Sequence, residues 1–272
     1  MPPHEAELPE ELRGIIKSFW YISIDFAEMP AGFEILPDGY AEIIFYFGSP
    51  CSVSTKSGLQ PLPSPFLMGL LNQPVLLHAQ TRLDIIGIKC YPWTVFELLG
   101  LPPGQGGVRI FEHPIAQLHA SLAKWMEAGQ IAEALVEATQ YFLQARRGIA
   151  TDGLLAKAGI AMHDAHGTLP VSQVAAAAHA TVRTLERKFK QAAGYTVKDV
   201  SGLMRFEQVR NHLLLHPVTN LAGLAQELGY TDQAHLSREF KRYSGTTPAA
   251  FARKTKKGQQ VLPSGFVAFV QA

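Results

Sequence analysis

The chain has 272 residues, 47% apolar and 17% charged, and Lys+Arg 24 against Asp+Glu 23 leave a formal net charge of +1. That length favours two domains of about 150 residues over one. The apolar content excludes a disordered chain, and no run of about 18 uninterrupted apolar residues offers a bilayer span. Cys51 and Cys90 are too few for a disulfide framework or a four-cysteine zinc site, so reduced cytosolic thiols are expected. The opening MPPHEAELPEELRG is acidic and lacks an apolar core, which argues against a secretory signal.

The first hundred residues read mostly as strands. FWYISIDF, Gly32 to Leu36, AEIIFYFG, QPVLLHAQ and LDIIGIKCY are short, rich in Ile, Phe and Tyr, and separated by PDG, GSP and proline clusters. Such spacing predicts an antiparallel sandwich or small barrel rather than βαβ units. LPPGQGGVRIFEHP breaks the pattern, and helical spacing follows at Ile115, Leu118, Leu122 and Trp125. A second stripe, Ile131, Leu135, Ala138, Phe142 and Ala145, suits either a dimer seam or packing on the sheet. HDAHG at 163–167 reads as a connector, with His163 and His166 expected at a solvated hinge. Everything after Gly167 is helical, with Gly194, Gly229 and Gly245 as helix stops. The fold class expected is therefore α+β in two domains: β-rich residues 1–166, helical residues 167–257, and an apolar tail at 258–272.

The small net charge conceals a division. Residues 1–166 carry 10 Lys+Arg and 17 Asp+Glu, a balance of −7, whereas residues 167–272 carry 14 and 6, a balance of +8. An acidic part joined to a basic part points to a polyanion partner for the basic one.

That basic part contains an internal repeat. Leu185-x-Arg187-x-Phe189-Lys190-x-x-x-Gly194 recurs 51 residues on as Leu236-x-Arg238-x-Phe240-Lys241-x-x-x-Gly245. Val174-Ala175 matches Leu224-Ala225 at an offset of 50, so the second copy has one extra residue in its turn. Each copy predicts a short helix (172–179 and 221–228), a turn and a longer helix (about 182–193 and 232–244), with Thr181 and Thr231 or Asp232 as caps. This is helix-turn-helix grammar: Ala175 and Ala225 let the second helix cross closely, and its polar face is left for a DNA major groove. The candidate DNA-contacting residues are Arg183, Thr184, Glu186, Arg187 and Lys190, and then Gln233, Ala234, Ser237, Arg238 and Lys241. Arginine pairs bidentately with guanine, glutamine with adenine, and lysines near helix ends suit phosphates.

The segment from about 167 to 254 resembles the two-motif DNA-binding domain of AraC/XylS-type transcriptional regulators. ELGYTDQAHLSREFKRYSGTTPAAFARK carries the resemblance, with VAAAAHATVRTLERKFKQAAG as the weaker upstream motif and a linking helix near Arg205 to Leu215. Ala234-His235-Leu236 and Val209 depart from the usual pattern while keeping an apolar face. The resemblance implies sequence-specific binding to double-stranded DNA, two recognition helices held on one face of the duplex, and RNA polymerase as a partner if the protein activates. It also implies a first domain that senses a small molecule, forms a homodimer, or both. LPDGYAEIIFYFG, FLMGLL and GIKCYPWTVFELLG are similar to the sensing domain of one subgroup.

Trp20, Tyr40, Phe45, Phe47, Met68 and Trp93 are candidate effector-binding residues of that domain. Against catalysis, His78 stands alone, His113 and His119 are six apart, and no nucleophile elbow, phosphate-binding loop or paired acids emerge. No enzyme activity, metal, cofactor or membrane partner is expected. The reading is a cytoplasmic regulator; the alternative is a constitutive DNA-binding protein whose first domain only oligomerises.

Overall fold

The computed structural model describes residues 4–5, 7–26, 32–100, 107–146 and 153–256. The expected tail at 258–272 and part of the 101–114 break lie outside them. Strands β1 (His4–Glu5), β2 (Ile16–Asp25), β4 (Ala41–Gly48), β7 (Phe66–Met68), β9 (Arg82–Cys90) and β10 (Val108–Arg109) form one antiparallel sheet in the order β1-β2-β9-β4-β7-β10. β3 (Phe33–Ile35), β5 (Ser52–Thr55), β6 (Gly58–Pro61) and β8 (Val75–His78) form a second, ordered β3-β8-β5-β6.

The larger sheet is covered on both faces, which is why its strands read as nearly continuous apolar runs. Successive side chains still alternate. On β2, Trp20, Ile22 and Ile24 face the smaller sheet and pack with Phe33, Val53 and Leu77. Phe19 and Tyr21 face the opposite way, with Ile43, Phe45, Ile86 and Ile88. That second face is covered by α1 (Val95–Leu98), α2 (Leu118–Glu127) and α3 (Ile131–Ala145). The stripe on α3 therefore packs on its own sheet: Phe142 is fully buried with its ring 5.7 Å from Phe19.

The remaining helices are α4 (Gly153–Asp164), α5 (Val171–Ala177), α6 (Val182–Ala193), α7 (Val197–Leu215), α8 (Leu221–Glu227), α9 (Gln233–Ser244) and α10 (Pro248–Lys256). They share one core built on Phe189, Phe206, Phe240 and Phe251, each fully buried. Truncating such a phenylalanine to alanine costs about 3–5 kcal/mol. Leu155, Ala158 and Met162 of α4 join that core, so the helical body begins ahead of residue 166.

The hinge expectation is corrected for His163. It is half-buried, its ring 5.4 Å from Tyr40 and 5.1 Å from Tyr91, because α4 lies against the β-domain and not in solvent. His166 is exposed and takes a positive φ. Gly167 follows at φ +73°, where an added Cβ would come within 2.4 Å of the Ser201 carbonyl oxygen. Only glycine brings the chain this close to α7.

Candidate nucleic-acid interface and interdomain cleft

The two repeats fold into two units of the same helix order, α5–α6 and α8–α9. In each, the short helix ends in a left-handed residue followed by an i−5 backbone bond, Ala180 N–H to Ala175 O at 2.9 Å and Tyr230 N–H to Ala225 O at 2.9 Å. This is the Schellman closure. The left-handed residue is Gly229 in the second unit and His179, at φ +52°, in the first. The longer helices then start at caps of different chemistry. The Thr181 hydroxyl accepts from Thr184 N–H at 3.2 Å, and the Asp232 carboxylate accepts from His235 N–H at 2.6 Å. Both end at left-handed glycines, Gly194 and Gly245.

Leu185, Phe189, Leu236 and Phe240 point inward and are fully buried. Arg183, Arg187 and Lys190 of α6 are exposed, and so are Gln233, Ala234, Arg238 and Lys241 of α9. Thr184 and Ser237 are half-buried at the edges of the same faces. Glu186 does something else as well: its carboxylate accepts from Val197 N–H at 3.3 Å, across the turn into α7. Neither Arg187 nor Arg238, which occupy repeat-identical positions, forms an ion pair among the described residues.

α7 joins the units. A capping box between Thr196 and Asp199 starts it, and Phe206 packs 5.0 Å from Phe240 and 5.3 Å from Tyr243. Arg205 donates to both carboxylate oxygens of Glu239 at 3.1 Å and to the Gly167 carbonyl at 2.9 Å. The sequence had offered α7 only as a linking helix. Its role as a strut, crossed by a partly buried ion pair, lies in contacts between residues 34 apart.

The other face of α7 meets the β-domain. Arg210 donates to the Pro37 carbonyl at 3.3 Å and lies 3.5 Å from Glu207. Lys89 lies 2.9 Å from Asp38 and 3.3 Å from Glu42. Burial pushes the Glu42 carboxyl up to about 7, against the pull of Lys89, and burial together with Asp38 also raises Glu207. Burial alone would lower the Lys89 ammonium, but Asp38, Glu42 and Glu207 together hold it above its ordinary value. Nearby, the Tyr195 hydroxyl donates to the Leu70 carbonyl at 2.9 Å, and Trp93 inserts its indole between Gly159 and Phe189.

Between these contacts opens a cleft of about 830 Å³, walled by Lys17, Tyr40 and Lys89 on the β-domain and by α4, α7 and α8 opposite. Burial brings His163 at its edge down to about 4, so the ring is neutral; its Nδ1 is 3.4 Å from the Tyr40 hydroxyl and its buried Nε2 has no partner.

Of the candidate effector residues, only Tyr40 reaches this cleft. Trp20 and Met68 line a space of about 20 Å³ inside the sandwich, which has room for a water but not for an aromatic ligand. Trp20 lies so close to Gly87 that an added Cβ there would stand 2.1 Å from its ring. Phe45 is fully buried on the opposite face, Phe47 stacks on His119 at 5.0 Å, and Trp93 belongs to the helical core. The six residues do not form one pocket, because the sheet on which most of them lie is buried on both sides.

Residues 174–254 match a family model described as a helix-turn-helix domain, and residues 5–106 match a domain of unknown function, DUF6597. No curated protein matches the chain. ToxT from Vibrio cholerae is similar in structure, at 9% identity over 87% of this chain and 98% of that one, with a TM-score of 0.47. ToxT bound to (E)-4-(8-methylnaphthalen-1-yl)but-3-enoic acid is also 9% identical, over 88% and 100%, with a TM-score of 0.48. The DNA-binding domain of AdpA in complex with a target DNA is 23% identical over 40% of this chain and all of that one, with a TM-score of 0.36.

Proposed function

We propose, taking as premise that residues 174–254 form an AraC-type helix-turn-helix domain, that the protein is a sequence-specific DNA-binding transcription regulator of the cytoplasm, controlled by a small-molecule effector. One observation carries the reading. Two recognition helices with exposed Arg183, Arg187 and Arg238 are fixed to one strut, and the β-domain leaves their outer faces open. Arg187 and Arg238 read base edges, Lys190 and Lys241 hold phosphates, and Gln233 and Ala234 contact bases from the start of α9. Glu186 serves the turn into α7 first.

Control runs through α7. The β-domain grips the same helix that spaces the recognition units, through Arg210, Pro37 and the charges around Lys89. An effector that changes this grip shifts the population of DNA-competent geometries. The filled interior of the sandwich favours a second reading, in which the first domain only oligomerises and DNA binding is constitutive. The open cleft at the domain boundary favours control.

Selection of bound sequences from random DNA by the full chain tests the reading. Recovery of one motif spanning nearly two helical turns, lost when Arg187 or Arg238 becomes alanine, is the expected result. Recovery of no motif overturns it.

A further inference from the structure

We infer that the two recognition helices read unlike half-sites, so that each protomer binds an asymmetric DNA site in one orientation. Beside the guanine read by the arginine common to both helices, the half under α6 carries a second guanine, set by Arg183, and a thymine, set by Val182. The half under α9 carries adenine and thymine instead, set by Gln233 and Ala234. The inference deepens the DNA-binding reading above and rests on it.

The helices present the same positions with different side chains. Residues 182–191 of α6 and 233–242 of α9 stand at the repeat offset of 51 and follow one order of exposure. Two exposed residues come first, then half-buried, buried, half-buried, exposed, half-buried, buried and two exposed. Arg187 matches Arg238 and Lys190 matches Lys241, so these pairs cannot tell the halves apart. The half-buried differences are engaged within the protein: Glu186 with Val197 N–H, Glu239 with Arg205, and His235 edge-on to Tyr230 at 5.3 Å. Arg242 lies over the Tyr243 ring at 5.3 Å, at the far end of α9. What remains is the first two positions, and these N-terminal residues are the ones that a recognition helix brings to base edges.

Their chemistry is unlike. Arg183 is exposed and makes no side-chain hydrogen bond or ion pair among the described residues, and its fork fits guanine O6 and N7. The matching Ala234 has only a methyl, which suits the methyl of thymine. Gln233 is exposed, likewise without a side-chain partner among the described residues, and fits adenine N6 and N7. The matching Val182 is apolar yet 43% exposed, and its branched side chain also suits a thymine methyl. Both helices are capped at their starts, by Thr181 and Asp232, which fixes the first turn that carries these four residues.

Selection from random DNA by the full chain, followed by competition between single-base variants of the selected site, tests this. The expected motif has two halves of different sequence. Arg183→Ala should erase the preference for one guanine, about tenfold, in one half and leave the other half unchanged. Gln233→Ala should do the same for an adenine in the other half. Arg183→Ala joined to Ala234→Arg should move the second guanine from one half to the other. Replacing thymine by deoxyuridine, which lacks the methyl, should weaken the wild type about threefold at one thymine of the Arg183 half and leave Val182→Ser unaffected there. Two halves of like sequence overturn the proposal, as does an Arg183→Ala variant that changes both halves or neither. Equal loss by that variant on selected and random DNA also overturns it, since Arg183 would then be a phosphate contact. Absence of any motif rejects the DNA-binding reading itself, whereas a motif with like halves leaves that reading standing and rejects this inference alone.

Discussion

Arg205 in the linking helix holds both carboxylate oxygens of Glu239 in the second recognition helix at 3.1 Å, with the side chains 14% and 15% exposed. The pair links α9 to the strut. Removing one partner leaves the other, largely buried charge without its pair, at a cost of up to about 3 kcal/mol. Glu239→Gln and Arg205→Met should each lower stability by that order in urea unfolding. The double variant should recover part of the loss, because no buried charge is left alone. Additive losses would show that the two residues act independently.

The first turn carries a strain that the second avoids. His179 occupies, at φ +52°, the place that Gly229 fills at φ +71°. A left-handed conformation costs a side chain about 1–2 kcal/mol, partly offset by the larger unfolded-state entropy of glycine. His179→Gly should therefore raise stability by about 1 kcal/mol, read as a higher urea midpoint with an unchanged slope. A fall in the midpoint would mean that the imidazole makes a contact worth more than the strain.

Trp93 of the β-domain rests on Gly159 of α4, where an added Cβ would stand 2.1 Å from the indole. Gly159→Ala should force the ring aside and cost about 1–3 kcal/mol by overpacking. Tryptophan emission should shift to the red as the indole leaves the core. Unchanged emission and stability would place the domain contact elsewhere.

Glu42, buried, and His163, half-buried, give opposite pH trends. The Glu42 carboxyl, raised to about 7, favours the folded state when protonated, so its contribution is present below its unfolded value near 4.5 and is lost as pH rises to 7. His163, lowered to about 4, favours the folded state when neutral, so its contribution is lost as pH falls from 6.5 towards 4. The native protein should show a shallow stability profile between pH 4.5 and 6.5. Glu42→Gln should leave stability falling with acid, and His163→Phe should leave it rising. The same slope in both variants would reject the assignment.

Much of the helical half was legible in the sequence, because local signals dominate there. Gly194 and Gly245 stop helices at left-handed positions, Thr181 and Asp232 start them, and α6 and α9 fall within a residue of their expected bounds. The β-domain was legible in class but not in detail. The strands β5, β6 and β7 are three or four residues long, too short for periodicity; β5 and β6 form a short hairpin, and β5 and β7 are also held by strands more than twenty residues away. Of the residues expected to line a pocket, Tyr40 reaches the cleft while Trp20, Phe45, Met68 and Trp93 fill cores, since composition cannot tell a strand buried on two faces from one beside a cavity. The cleft was not legible at all. It is made by Lys17, Lys89 and Glu207, which lie on three different elements, and by a histidine expected in solvent.

The salt dependence of binding to the selected DNA site tests the central claim most directly. Each phosphate contact contributes a slope of about −0.9 in log K against log[salt]. The full chain should show a steep negative slope. Arg187→Ala or Arg238→Ala should weaken binding to the selected site far more than to random DNA, and Lys190→Ala or Lys241→Ala should reduce the slope by about one unit on both. A slope near zero, or equal affinity for selected and random DNA, would contradict the account.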